Sequence, residues 1–128
     1  MKVLRVTAPV LTVTTERLAA TVAFYERTLG ETARARFRNP AGSLDLVLIG
    51  SMLVIGGAPA ALAARSELKA TFIVDSLDEW RAEVTRQGAT IIEGPTHGPM
   101  SNNGPIGSFM FVRHPDGQLF EYFQPNGG

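Results

Sequence analysis

The most chemically pointed part of this sequence is His114-Pro115-Asp116-Gly117-Gln118-Leu119-Phe120-Glu121-Tyr122-Phe123, where a single carboxylate sits inside an aromatic run. Pro-Asp-Gly is a turn signal, because Pro presets φ and Gly accepts the positive φ that other residues resist. A strand is predicted after it. Alternation then places Leu119, Glu121 and Phe123 on one face and Phe120 and Tyr122 on the other. A carboxylate among Leu, Phe and Tyr is costly to bury unpaired. Glu121 therefore either faces solvent from an edge strand or faces a wet cavity, a cation or a hydrogen-bond donor. A lone buried Glu121 with a raised pKa can act as an acid or a base.

The two histidines are the other candidates. His114 precedes Pro115 and reads as a turn and surface residue. His97 lies in the Gly/Pro/Asn-rich loop Gly94 to Ile106, which can fold over a cavity mouth, so His97 is a candidate ligand contact. The absence of cysteine removes disulfides and thiolate zinc chemistry. Twelve basic and twelve acidic residues cancel and no basic run occurs, so the footprint of a nucleic-acid binder is missing. Met1-Lys2-Val3-Leu4 lacks a secretory signal pattern, and apolar runs such as Met52-Leu53-Val54-Ile55 are too short to span a bilayer. These features predict a soluble cytoplasmic protein with neither nucleic-acid nor membrane partners.

The elements that must position these groups follow from periodicity. Arg5 to Thr15 alternates loosely as one strand, with Leu11, Val13 and Thr15 opposite Val10, Thr12 and Thr14 and with Pro9 marking an edge or bulge. Glu16 to Leu29 is an amphipathic helix capped by Gly30. Strands are predicted over Glu31 to Asn39, Ser43 to Gly50 and Met52 to Gly57. In the first of these Arg34, Arg36 and Arg38 face solvent and Phe37 points inward.

Ala58 to Leu68 is Ala-rich and reads as a linker with a helical turn. Lys69 to Asp75 is a strand, and Ser76 to Gly88 a helix opened by a Ser-x-x-Glu capping box. Ala89 to Glu93 and Gly107 to Arg113 are strands on either side of the long loop, and the stretch around Glu121 closes the chain. Strand, helix and three strands thus occur twice. The 128 residues form one compact α+β domain. It divides into a first βαβββ module (1–58), a linker (59–68) and a second module (69–128).

This duplication, together with Ala23-Phe24-Tyr25-Glu26-Arg27-Thr28-Leu29-Gly30 and Arg113-His114-Pro115-Asp116-Gly117-Gln118-Leu119-Phe120-Glu121-Tyr122, resembles the vicinal oxygen chelate superfamily. Its members include glyoxalase I, extradiol dioxygenases and bleomycin-resistance proteins. The resemblance covers nearly the whole chain. It implies two βαβββ modules forming curled open sheets around a cavity, in which the enzymes hold a divalent metal with His, Gln or Glu from four strands. The first of those ligand positions falls at Val10, and no His, Gln or Glu lies between Lys2 and Thr15. Met52 to Gly57 offers no imidazole or carboxylate, and the next position falls at Lys69, a cation. Only Glu121 matches a family ligand, whereas a catalytic ion normally takes three protein ligands. No cofactor is expected, and a divalent metal is disfavoured.

If Glu121 faces the cavity, so should Leu119, Phe123, Val10, Thr12, Thr14, Thr71 and Ile73. Lys69 either pairs with Glu121 where a metal would stand or is separate and solvated. Such a lining suits an uncharged or weakly polar organic molecule. The resemblance implies a homodimer of the bleomycin-resistance kind, sequestering a small molecule without a metal. Neutral net charge argues against bleomycin itself, because a cationic drug favours an acidic binder. The alternative is an enzyme (lyase, isomerase or dioxygenase) using Glu121 as metal ligand or general acid/base. A structural or regulatory dimer would instead have a filled cavity.

Overall fold

A computed structural model describes residues 1–127; Gly128, the last residue assigned to the second module, lies outside the described residues. Fourteen elements follow in chain order. They are β1 (Val3–Thr7), β2 (Val10–Thr14), α1 (Thr15–Leu29), β3 (Ala35–Arg38), β4 (Leu44–Ile49), β5 (Met52–Gly57) and α2 (Pro59–Leu62). The second half holds β6 (Leu68–Val74), α3 (Leu77–Arg86), β7 (Thr90–His97), β8 (Met100–Ser101), β9 (Gly104–Pro105), β10 (Gly107–Arg113) and β11 (Leu119–Pro125). Among the described residues no helix is long and apolar enough to cross a membrane.

The strands form two sheets, one ordered β1-β6-β11-β10-β7 and the other β2-β5-β4-β3-β8-β9. This is the mixed α+β architecture of two curled open sheets. Their inner faces meet in a core built from Leu44, Leu53 and Ile55 on the six-stranded side and Leu68, Ile73, Phe109, Phe111, Leu119 and Phe123 on the other. Each outer face is covered by a helix. Val22 and Leu18 of α1 pack on Val47, Ile49 and Val54, while Leu77 and Val84 of α3 pack on Val74, Met110, Val112 and Tyr122.

Two helix ends are where the sequence pattern puts them, whereas α1 begins one residue early at Thr15 and α3 ends at Arg86, short of Gly88. Gly30 terminates α1 with φ +69°, and the Ser76 hydroxyl accepts a hydrogen bond from the Glu79 amide at the start of α3. The expected N-terminal strand is instead two strands in different sheets. Pro9 has no N–H to give a ladder, and the chain turns there. The Ala8 amide bonds to the Ser51 carbonyl, and the Leu53 amide to the Pro9 carbonyl. Thr7 therefore ends in register with Thr71 of β6, whereas Val10 starts a parallel pairing with Leu53 of β5.

A second crossing lies on the opposite side. The expected loop Gly94 to Ile106 is largely strand. β7 runs on to His97, and the chain crosses at Gly98 and Pro99 into the β8–β9 hairpin, whose Met100 pairs with Arg38 of β3. Gly98 has φ +145°, and a Cβ there would meet the Pro40 ring at 2.7 Å, so this crossing needs a glycine. The strand expected over Glu31 to Asn39 is only β3, with Arg34, Arg36 and Arg38 exposed and Phe37 turned inward.

Candidate functional site

Between the sheets lies a cavity of about 70 Å³. The five-stranded sheet contributes Thr7, Thr71, Ile73, Glu121 and Phe123. Phe37, Leu46, Leu48 and Leu53 face them from the other sheet, and Pro99 and Ile106 close one side beside the β8–β9 hairpin. A smaller lobe of about 20 Å³ shares Leu46, Leu53, Pro99 and Glu121 with it and adds Arg65, Asn39, Phe109 and Phe111.

Glu121 is placed here by strand alternation. Its register partners are Phe111 on β10 and Thr71 on β6. It is 7% exposed, and its Oε1 accepts a 2.7 Å hydrogen bond from the Thr71 hydroxyl. Burial pushes the Glu121 carboxyl up to about 7. The Thr71 hydrogen bond and the Arg65 charge pull it down, and the Glu93 charge pushes it up, but desolvation outweighs them. Near neutral pH the cavity thus contains a carboxyl group poised between acid and base.

Arg65 reaches the same site from the segment joining α2 to β6. Its guanidinium carbon lies 4.0 Å from the centre of the Phe111 ring, and its Nη2 donates to Glu93 Oε2 at 3.2 Å. The side chain is 13% exposed, so this ion pair with β7 lies at the rim of the smaller lobe. Nothing in the Ala-rich linker marks Arg65 as a site residue in the sequence; only the fold brings it to Glu121.

The other sequence-derived residues are distributed as follows. Thr71, Ile73 and Phe123 line the cavity with Glu121, and Leu119 belongs to the surrounding core. Val10 packs at the edge of that core, but the N-terminal residue lining the cavity is Thr7, because of the crossing at Pro9. Val10 and Thr12 border an outer groove beside Arg17 and Phe24, and Thr14 is the N-cap residue of α1.

Lys69 is exposed. The β6–β11 register slips between the Leu119–Leu68 and Glu121–Thr71 pairs, and the extra residue leaves Leu68, not Lys69, in the inner core with Ile73. Glu121 accepts from Thr71 in place of the Lys69 pairing considered above. His97 is exposed on a different face, where its Nδ1 lies 3.0 Å from the Ser108 hydroxyl in a groove shared with Asp78 and Gln124. His114 is on the outer face, stacked on Phe120 and 2.9 Å from the Tyr122 hydroxyl; burial lowers its pKa.

The donor set does not fit a divalent metal. Val10 offers no side-chain ligand atom, β5 is apolar, and Lys69 is an exposed cation. Among the described residues no three His, Asp or Glu side chains converge. What the site offers is one ionisable acid, the hydroxyls of Thr7 and Thr71, the Asn39 amide and one guanidinium in an otherwise apolar enclosure.

Comparison with known proteins gives a consistent picture. The family model described as Glyoxalase/Bleomycin resistance protein/Dioxygenase superfamily matches residues 7–122. An uncharacterized protein from Methanosarcina mazei is 33% identical with a TM-score of 0.81, the match covering 98% of this chain and 95% of that one. Methylmalonyl-CoA epimerase from Mycobacterium tuberculosis shares the fold at 16% identity and a TM-score of 0.65, over 91% of this chain and 85% of that one. A variant of 4-hydroxymandelate synthase from Streptomyces coelicolor does so at 15% identity and a TM-score of 0.66, over 97% of this chain and 49% of that one. No curated protein matches the sequence.

Proposed function

The chain belongs to the Glyoxalase/Bleomycin resistance protein/Dioxygenase superfamily, and from that premise we propose that it binds a small, largely apolar organic molecule between its sheets without a metal. The observation that carries this reading is Glu121, a lone buried carboxyl in an apolar cavity, where one hydrogen-bonding group orients a ligand that burial holds. At about 70 Å³ the cavity is well below the roughly 300–1,000 Å³ of drug-sized sites. The ligand is accordingly a molecule of a few heavy atoms. Bleomycin is disfavoured by size as well as by charge.

The proposal includes a homodimer. Leu4, Val6 and Phe24 are large apolar side chains left exposed, and β2 is an edge strand with an open side. Sedimentation velocity checks this part, and a monomer at all concentrations would remove it.

A thermal-shift screen of small, largely apolar compounds with neutral and with anionic head groups tests the binding reading. Saturable stabilisation of the wild type, and an altered affinity in a folded Glu121→Gln variant, are expected. A screen without hits, or hits indifferent to Glu121→Gln, would argue against it. Elemental analysis and calorimetric titration with manganese, iron(II), nickel and zinc address the metal. Stoichiometric binding abolished by Glu121→Gln would overturn the metal-free reading.

The Glu121 pKa of about 7 favours a second reading, general acid/base catalysis. In its ionised form Glu121 would take a proton from carbon beside a carbonyl, and as the acid it would return one. Solvent deuterium incorporation into a small carbonyl compound, lost in Glu121→Gln, would establish it; a wild-type rate no faster than buffer would end it.

A further inference from the structure

We infer that the molecule taken up between the sheets is a small carboxylate, its anionic head held by Arg65 at the rim of the smaller lobe and its short apolar body against Ile73, Phe37 and Phe123. This deepens the binding reading above and rests on it.

Arg65 is the reason. Among the described residues its guanidinium makes one hydrogen bond, to Glu93, although the group has five N–H donors in a planar fork that matches a carboxylate. Phe111 supports one face of the fork and fixes its plane. The present partner, Glu93, is 45% exposed against 13% for Arg65, so the Glu93 carboxylate can turn to solvent when another carboxylate takes its place on the guanidinium.

The charges facing this point come from three elements. Arg65 lies in the segment before β6, Glu93 on β7 and Glu121 on β11; Thr71 of β6 adds a neutral hydroxyl. With Glu93 neutralising Arg65 at rest and Glu121 protonated, an incoming carboxylate replaces Glu93 on Arg65 and receives a hydrogen bond from Glu121. An amine would meet the guanidinium head-on. A neutral molecule would leave the fork unused. The carboxylate is the head group that satisfies both polar groups at once, and the apolar main lobe has room for a short chain.

The test is an NMR titration of the labelled protein with butyrate and with 1-butanol, which share an apolar body and differ in head group. Shifts are expected at Thr71, Ile73, Glu121 and Phe123 with both probes, with butyrate bound about tenfold or more tightly. Arg65→Met should erase that preference and leave 1-butanol unchanged. Arg65→Lys keeps the charge without the fork, and should retain only part of the preference; it also serves if the methionine variant does not fold. Butyrate affinity should fall as the pH rises through about 7 in the wild type, and much less in Glu121→Gln.

If the two probes bind alike, or Arg65→Met keeps the preference, the carboxylate assignment is wrong while the cavity remains a binding site. If neither probe shifts the cavity resonances, both the site and the assignment fall.

Discussion

On the five-stranded sheet the inner face carries Thr7, Thr71 and Glu121 among its apolar side chains, whereas the wall opposite consists of Phe37, Leu46, Leu48 and Leu53. The two walls enclose the same space. Only one of them can donate or accept a proton. The division suggests a site in which one sheet fixes the orientation of a ligand and the other fixes its size, so substitutions on the two walls should fail in different ways.

The largest expected effect is on the apolar wall. Leu53→Ala removes a side chain 4% exposed in the inner core and should cost about 2–5 kcal/mol, read as a lowered denaturation midpoint. A loss much below that range would mean that the apolar wall collapses to fill the gap.

On the polar wall the expected signature is pH dependence. The folded-state pKa of Glu121, about 7, lies above its ordinary value of 4.5, so the folded protein holds this proton more tightly than the unfolded chain. The corresponding stabilisation, about 3 kcal/mol, is fully present below pH 4.5 and is lost as the pH rises to about 7. Denaturant unfolding across that window should show the decline in the wild type and not in Glu121→Gln. An identical decline in both would place the titration elsewhere.

Smaller effects sharpen the contrast. Thr71→Val removes the hydroxyl that donates to Glu121 and should raise the carboxyl pKa further, with a cost of about 1–2 kcal/mol above neutral pH. Carbonyl chemical shifts of Glu121 would report it. Ser76→Ala, outside both walls, should cost about 1 kcal/mol through loss of the α3 cap and leave Glu121 unmoved.

Periodicity and turn chemistry made most elements legible in the sequence. The Gly30 and Ser76 ends of the helices, the β4–β5 and β10–β11 hairpins and the division of β11 into two faces follow from local rules, whereas local rules left open which face of β11 turns inward. What was not legible depends on where the chain changes sheets. Pro9 reads as an edge or a bulge, and nothing local says that Thr7 and Val10 separate into different sheets. The register slip that exposes Lys69 is likewise a property of two strands together. Arg65 is the clearest case, a charged residue in an Ala-rich connection that becomes part of the site only because the connection passes beside Phe111 and β7.

The crossing at Ala8 and Pro9 also fixes an order of events. Val3–Thr7 precedes its sheet partner β6 by a long stretch of chain, with Val3 opposite Val74. The strand stays unpaired until β6 has been made. The wall that bears Glu121 therefore depends on pairing across a long sequence separation, which is slow. Severing the chain in the Ala58–Leu68 connection would leave β1 without its neighbour in one piece and β6 with a bare edge in the other, and would open Glu121 to water.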